Sequence, residues 1–198
     1  LTDQTSFTLT VNPVNDAPTL DDLIDVSVDE DNIYTLQLSG TDVDDDPLTF
    51  LASVDANGSA SISGTTLSVT PDQDYNGDLT VNVIASDGQA SGSGSFTLTV
   101  NSINDDPVLA VIDAQSIDED NPLILQLSAS DIENDELTFS ASVDGNGSAS
   151  IGEDGTTLTV NPDDNFNGDI IVAVQVSDGE LTDQTSFTLT VNPVNDAP

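Results

Sequence analysis

The stretch Ser95-Phe96-Thr97-Leu98-Thr99-Val100-Asn101 decides the fold class. Apolar side chains alternate along it with Ser, Thr and Asn, and this period of two is typical of a strand with one buried face. The same letters recur at residues 6–12 and 186–192. Because β-branched residues dominate and no stretch has apolar residues at the helical period of 3.6, the sequence predicts an all-β protein.

Turn signals divide the chain into short strands. Asn-Gly, Ser-Gly or Asp-Gly occurs at 57–58, 63–64, 76–77 and 87–88, and such pairs favour tight turns. In the first repeat we predict seven strands, near residues 23–28, 33–39, 47–54, 59–63, 66–70, 78–86 and 94–101. Seven short strands in about 90 residues are typical of an immunoglobulin-like Greek-key β-sandwich. We expect Phe50, Tyr75 and Phe96 in its core.

The chain is an internal repeat. Asn-Asp-x-Pro occurs at 15–18, 104–107 and 195–198, with spacings of 89 and 91 residues, and residues 1–18 are identical to residues 181–198. We therefore divide the chain into the last strand and linker of a preceding repeat (1–18), repeat 1 (19–107) and repeat 2 (108–198). Residues 1–14 are expected to lack the strands with which they would pair.

The linker between the two repeats is short and contains proline, which restricts its own φ and the conformation of the residue before it. We therefore expect two sandwiches arranged end to end in a monomeric rod. The partners of each repeat would be the neighbouring repeats of the same chain.

Composition excludes several functions. The 198 residues include 37 Asp and Glu but no Lys, Arg, His or Cys, so the formal net charge is −37. Nucleic-acid binding needs basic residues, and imidazole or thiol catalysis and the usual zinc sites need His or Cys. No apolar run reaches the ~18 residues of a membrane span, so we expect no direct membrane insertion. Paired-carboxylate hydrolysis needs two acids flanking a cleft, and no aromatic cluster for sugar stacking occurs; we expect no enzyme.

Some of the acidic residues recur at equivalent positions of the two repeats. Asp42, Asp44 and Asp46 alternate along one loop, and Asp131, Glu133 and Asp135 occupy the equivalent positions of repeat 2. Alternate carboxylates can converge on one hard cation, and Ca²⁺ accepts six to eight oxygen ligands. A solvated acidic turn is the alternative interpretation. The recurrence of acids at both ends of each repeat favours the cation.

Six short motifs follow one another in repeat 1: Glu30, Asp42-Val43-Asp44, Leu48-Thr49-Phe50, Pro71-Asp72-Gln73-Asp74, Ala85-Ser86-Asp87-Gly88 and Asn104-Asp105-Asp106-Pro107. Their order resembles that of cadherin repeats. Nearly the whole chain is similar to bacterial cadherin-like tandem repeats of the VNPVNDAP type, which occur in large RTX-type surface adhesins. The resemblance implies cadherin-like sandwiches, Ca²⁺ as the cofactor, and an extracellular location on a bacterial surface.

The resemblance also implies which residues bind the metal, because cadherins hold calcium between consecutive domains. The complete junction would use Glu30, Asp72, Asp74, Asn104, Asp105, Asp106, Asp131, Glu133 and Asp178. A partial N-terminal junction would use Asn15, Asp16, Asp42, Asp44 and Asp87. A partial C-terminal junction would use Glu119, Asp163, Asn165, Asn195 and Asp196. The pattern departs from cadherins where Glu133 replaces an Asp and where Asn165 stands opposite Asp74.

Two functions remain open. In the first, the repeats are calcium-binding extenders of a large adhesin in cell adhesion and biofilm formation, and calcium stiffens the linker to project a distal binding domain. In the second, the repeats themselves bind a glycan, a peptide or another copy. Short loops and the absence of Trp, which animal cadherins often use to bind each other, favour the extender.

Overall fold

The computed structural model describes residues 1–195. The chain divides into two units, the first ending at Ile103 and the second beginning at Asn104. This division falls before Pro107, where we drew the sequence boundary. The reason is that Asn104 and Asp105 donate hydrogen bonds to Asp178 and Glu133 of the second unit.

The described part of unit 1 has nine strands: β1 (Thr19–Leu20), β2 (Val26–Asp29), β3 (Tyr34–Gln37), β4 (Gly40–Thr41), β5 (Thr49–Val54), β6 (Gly58–Ser63), β7 (Thr66–Pro71), β8 (Gly77–Ser86) and β9 (Ser91–Asn101). Two sheets, ordered β2-β9-β8-β5 and β3-β7-β6, are accompanied by the pair β1-β4. β2 runs parallel to β9, and the other pairs are antiparallel. The orders β3-β7-β6 and β5-β8-β9 correspond to the strand orders B-E-D and C-F-G of immunoglobulin-like sandwiches.

Unit 2 repeats this order over the described residues: β10 (Val108–Leu109), β11 (Gln115–Asp118), β12 (Leu123–Gln126), β13 (Ala129–Ser130), β14 (Thr138–Val143), β15 (Gly147–Ile151), β16 (Thr157–Pro162), β17 (Gly168–Ser177) and β18 (Thr182–Asn192). Its sheets are β11-β18-β17-β14 and β12-β16-β15, with the pair β10-β13. The predicted fold class, tandem immunoglobulin-like sandwiches, is confirmed. The seven predicted strands of repeat 1 correspond to β2, β3 and β5–β9, and two short strands are additional.

The core of each unit lies between its two sheets, because every second side chain of a strand faces inward. In β8, Leu79, Val81, Val83 and Ala85 are fully buried, whereas the residues between them are exposed. They pack with Leu67 and other buried side chains of the facing sheet. Phe50 and Phe96 are buried as expected, and Tyr75 packs half-buried against the same cluster.

The acids lie mainly outside the strands. Within residues 1–195 only five acidic residues are in strands: Asp29, Asp78, Asp118, Asp169 and Asp183. The outward faces of β6, β7 and β9 carry Ser and Thr, for example Ser59, Ser68 and Ser95. Strand pairing therefore places the negative charge in the loops at the ends of each sandwich.

Two further observations concern the chain outside the sheets. Residues 1–18 belong to no strand, and Phe7, Leu9 and Val11 are 77–90% exposed. Within residues 1–195, no helix combines the length and the apolar character that crossing a bilayer requires.

Candidate metal centre

Three loops meet at one end of unit 1, and we call their polar residues the N-terminal cluster: Asn15, Asp16, Asp42, Asp44, Asp46, Asp87 and Gln89. The loops precede β1, follow β4 and join β8 to β9. The backbone N–H of Asp16 donates to Asp44 Oδ2 at 2.8 Å, and Asn15 Nδ2 donates to Asp87 Oδ2 at 2.9 Å. The fold therefore brings together side chains that are about 70 residues apart in the sequence.

Asp42 organises its own loop. Its Oδ1 accepts hydrogen bonds from the backbone N–H groups of Asp44, at 2.9 Å, and Asp46, at 3.3 Å. The turn places Asp45 at φ 61°, a left-handed conformation that Asp tolerates better than most residues. Both of these hydrogen bonds use Oδ1. The other carboxylate oxygen of Asp42, Oδ2, is buried and has no hydrogen-bond partner among the described residues.

Asp87 is held by backbone donors at the turn after β8. Its Oδ1 accepts from the N–H groups of Gln89 and Ala90, both at 2.6 Å. The Ala90 N–H, followed by the Asn15 amide and the Gln89 N–H, lowers the pKa of Asp87 below its ordinary value. The carboxylate is therefore stabilised in its charged form, which is the form that a cation requires.

Unit 2 has an equivalent N-terminal cluster: Asn104, Asp105, Asp131, Glu133, Asp178 and Glu180. Asn104 Nδ2 donates to Asp178 Oδ2 at 2.8 Å, and the Asp105 N–H donates to Glu133 Oε2 at 3.2 Å. The Asn104 side chain is the main cause of a lowered pKa at Asp178, followed by the Leu181 N–H. The two units thus build the same arrangement from different local sequences.

At the opposite end of each unit a glutamate is buried. Glu30, directly after β2, is 3% exposed, and its Oε1 accepts from the Ile103 N–H at 2.5 Å. Glu119 of unit 2 is 6% exposed and accepts from the Val194 N–H at 2.5 Å and, through Oε2, from Asn167 Nδ2 at 3.4 Å. Both units therefore hold the chain after their last strand through a buried carboxylate.

The same end contains a contact that sequence reasoning missed. Asp31 Oδ1 accepts from the backbone N–H of Asp74 at 3.2 Å, and Asp120 Oδ1 accepts from that of Asn165 at 3.1 Å. The recurrence of Asp-Glu-Asp-Asn at 29–32 and 118–121 is the sequence signal that could have identified Asp31 and Asp120. Gln89 was also missed, since its role depends on a contact with Asn15.

The predicted sets are placed as follows. The partial N-terminal junction lies in one cluster of unit 1. Of the complete junction, Glu30, Asp72 and Asp74 belong to unit 1, and Asn104, Asp105, Asp106, Asp131, Glu133 and Asp178 to unit 2. Of the partial C-terminal junction, Glu119, Asp163, Asn165 and Asn195 are in unit 2, and Asp196 lies outside the described residues. Asp72 and Asp163 donate their N–H groups to Asn57 and Asn146.

Buried carboxylate oxygens without hydrogen-bond partners indicate whether these residues could bind a metal ion. Four carboxylate oxygens are buried and have no hydrogen-bond partner within residues 1–195: Glu30 Oε2, Asp42 Oδ2, Asp131 Oδ2 and Glu133 Oε1. A buried carboxylate oxygen without a partner is costly, and the sequence has no Lys, Arg or His that could pair with it. A set of carboxylate and amide oxygens suits Ca²⁺, a hard cation that accepts many oxygen ligands. The residues therefore fit calcium.

Comparison with known proteins identifies a family for both units. The sequence profile described as Bacterial Ig domain matches residues 15–101 and 104–192. Domains of this family are typically extracellular and non-enzymatic. No curated protein matches the sequence.

Two structures of one human protein fragment share the fold at low identity. Human Protocadherin-24 EC1-2 (Form II) is 18% identical, with a TM-score of 0.60, and the match covers 92% of this chain and 100% of that one. A second structure of the same human fragment gives a TM-score of 0.52 at 18% identity, covering 93% and 100%. The endo-fucoidan hydrolase MfFcnA4 is 17% identical with a TM-score of 0.41; 94% of this chain matches, but it spans only 30% of that protein.

Proposed function

This chain belongs to the bacterial Ig domain family, and we propose that its units are calcium-binding extender repeats of a large bacterial cell-surface adhesin of the RTX type. Calcium would stiffen the linker between repeats, so that an array projects a distal binding domain from the cell, as in biofilm attachment. The observation that carries the proposal is the pair Asp42 and Asp131. At equivalent positions each keeps a buried carboxylate oxygen without a hydrogen-bond partner in the described chain.

Each unit's own residues would prepare the site. Asp42 uses Oδ1 to hold its loop and keeps Oδ2 available. Asn15 and Asn104 orient Asp87 and Asp178 through hydrogen bonds, so these carboxylates are already positioned and charged. A bound calcium ion would supply the positive charge that the sequence lacks. Because most of the carboxylates are already fixed by backbone donors, little ordering would be needed on binding.

The linker is where calcium would affect rigidity. Asn104 and Asp105 precede the first strand of unit 2. They donate hydrogen bonds to Asp178 and Glu133 of that unit, so ligands in the linker would be fixed to unit 2. Glu30 of unit 1 holds Ile103, the preceding residue. If an ion shares ligands from both of these segments, bending at 103–104 would break coordination bonds. Without an ion, the acids of the linker would have no cationic partner, because the sequence has no Lys, Arg or His.

Calcium titration with melting curves tests the metal part. Calcium that binds only the folded state adds about 2.7 kcal/mol per independent site at ~100-fold excess over Kd. We expect Ca²⁺ to raise Tm much more than Mg²⁺ at equal concentration, since Mg²⁺ requires a tight octahedral site. The variant Asp42→Asn/Asp131→Asn should lose most of this rise. Its control, Asp22→Asn/Asp113→Asn, removes the same charge at exposed positions and should keep it.

Small-angle scattering tests the extender part separately. We expect a narrow distribution of interatomic distances in calcium and a broader one in chelator. Asp105→Ala should broaden it in calcium, whereas Asp113→Ala should not. If melting shows calcium binding but scattering is the same in calcium and chelator, calcium stabilises the units and does not stiffen the linker.

A further inference from the structure

In the N-terminal cluster of unit 1, the side chain of Gln89 contacts Asn15, which is itself hydrogen bonded to Asp87. Gln89 Nε2 donates a hydrogen bond to Asn15 Oδ1 at 3.0 Å. Asn15 in turn donates through Nδ2 to Asp87 Oδ2 at 2.9 Å. The carboxamide oxygen of Asn15 is the only oxygen that its side chain could offer to a cation, and an amide donor already uses one of its two lone pairs.

Gln89 also faces the acids of the cluster. Gln89, Asn15, Asp44 and Asp46, with Pro13, line one pocket of about 430 Å³ at this end of unit 1. The N–H₂ group of Gln89 carries partial positive charge, so at the wall of this pocket it opposes the entry of a cation. The inference below rests on the proposed calcium function, because it concerns the affinity of the same site.

Unit 2 has a different residue at this position. Ser86-Asp87-Gly88-Gln89 aligns with Ser177-Asp178-Gly179-Glu180. The backbones agree, since the N–H of Gln89 donates to Asp87 Oδ1 at 2.6 Å and that of Glu180 to Asp178 Oδ1 at 2.7 Å. The side chain of an ionised glutamate has no donor group, so it cannot make the hydrogen bond that the Gln89 side chain makes to Asn15.

We propose that the residue at position 89, and at its equivalent 180, sets the calcium affinity of each N-terminal cluster. Gln89 weakens the site of unit 1, because its amide uses one lone pair of Asn15 Oδ1 and places partial positive charge beside the oxygen that would bind a cation. Glu180 strengthens the site of unit 2, because it places a negative charge two residues after Asp178 and its side chain cannot donate to Asn104 Oδ1. Ligand charge is a main determinant of calcium affinity, so the two units fill at different calcium concentrations.

The test is a calcium titration of the full chain followed by ¹H–¹⁵N NMR, because backbone amides report each cluster separately. In the wild type, the amides of residues 178–180 should shift at a lower calcium concentration than those of residues 87–89. Gln89→Glu should tighten the apparent Kd at 87–89 roughly tenfold, and Glu180→Gln should weaken it at 178–180 by a similar factor. Gln89→Leu, which removes the amide without adding a carboxylate, should lower the apparent Kd at 87–89 by a smaller factor.

Controls separate a local effect from net charge. Gln37→Glu makes the same chemical change on the exposed face of β3, and Glu153→Gln makes the reverse change in an exposed turn of unit 2. Neither substitution should change the apparent Kd for calcium at residues 87–89 or at residues 178–180 by more than about twofold. If Gln37→Glu tightens binding as much as Gln89→Glu, overall charge sets the affinity and the inference is wrong.

The remaining outcomes are distinguishable. If both loops respond to calcium in the wild type but Gln89→Glu leaves the curve at 87–89 unchanged, the inference fails and the calcium function stands. If neither loop responds to millimolar calcium in any variant, the proposed function itself fails.

Discussion

Asp154 shows how single acids stabilise turns in a chain without basic side chains. It lies between β15 and β16, where its Oδ1 accepts from the N–H groups of Thr156, at 3.1 Å, and Thr157, at 2.9 Å. The Thr157 hydroxyl donates to Oδ2 and is the main cause of a pKa lowered from 3.8 to about 2. Backbone and hydroxyl donors thus stabilise the charged form in place of a cationic partner.

We predict a pH-dependent loss of stability for Asp154→Ala. The folded pKa lies below the unfolded value, so the stabilisation is present above pH 3.8 and is lost as pH falls toward about 2. Urea unfolding should show Asp154→Ala less stable than wild type at pH 6, with the difference shrinking toward pH 2. Glu153→Ala, exposed in the same turn, is the control. A difference that is equal at both pH values would contradict this explanation.

Glu30 allows a prediction whose sign depends on calcium. Its Oε2 is buried without a hydrogen-bond partner in the described residues, so Glu30→Gln removes an uncompensated charge in chelator and should raise Tm. In calcium the same substitution removes a charged ligand, so Tm should fall relative to wild type. Exposed Glu136→Gln should change Tm little in either condition. A Glu30→Gln variant with lower Tm in both would show that the charge is already compensated without metal.

At the scale of elements, the hairpin of β8 and β9 forms the centre of the larger sheet. Leu98 of β9 is fully buried and pairs in register with Leu79 of β8. Leu189 occupies the equivalent position in β18 and is also fully buried. Each unit has its own core, and we expect each to unfold as a separate transition.

Leu98→Ala should destabilise unit 1 by about 2–5 kcal/mol, because a buried cavity replaces the side chain. Both tyrosines of the chain, Tyr34 and Tyr75, lie in unit 1, and the sequence has no Trp. Tyrosine fluorescence therefore reports unit 1 alone. Leu98→Ala should shift its urea transition to lower concentration, whereas Leu189→Ala and exposed Ser95→Ala should not. A shift of the tyrosine signal in Leu189→Ala would mean that the two units unfold together.

At the scale of the molecule, the main feature is a net charge of −37 located mainly in loops. Strand interiors and Ser/Thr faces are almost free of charge, so folding concentrates acids at the ends of each sandwich. Repulsion between exposed charges is screened over about 8–10 Å at physiological salt. The calcium-free protein should therefore depend strongly on ionic strength.

We predict that raising NaCl from about 20 to about 500 mM in chelator increases Tm, and that KCl has the same effect, since screening does not depend on the ion. In saturating calcium the effect of NaCl should be smaller, because bound ions already offset part of the charge. Differential scanning calorimetry measures both. A Tm in chelator that does not respond to salt would show that loop repulsion contributes little to stability.

Much of the fold was predictable because it depends on local patterns. The alternation at 79–85 and 96–100 specifies strands and their buried faces, since side chains on a strand alternate sides. Asn57, at φ 54° between β5 and β6, confirms the turn predicted from Asn57-Gly58. Strands β1 and β4, with two residues each, were missed because such short pairs have no periodic signal.

The sequence by itself determined the repeat, the seven longer strands of repeat 1, the absence of any basic side chain and the positions where acids recur, because these are properties of neighbouring or aligned residues. Only the tertiary structure decided which oxygens are paired. The contacts of Asn15 with Asp87 and Gln89 join residues more than 70 positions apart. Whether they form depends on how three loops converge at the end of a sandwich, and no local pattern encodes that convergence.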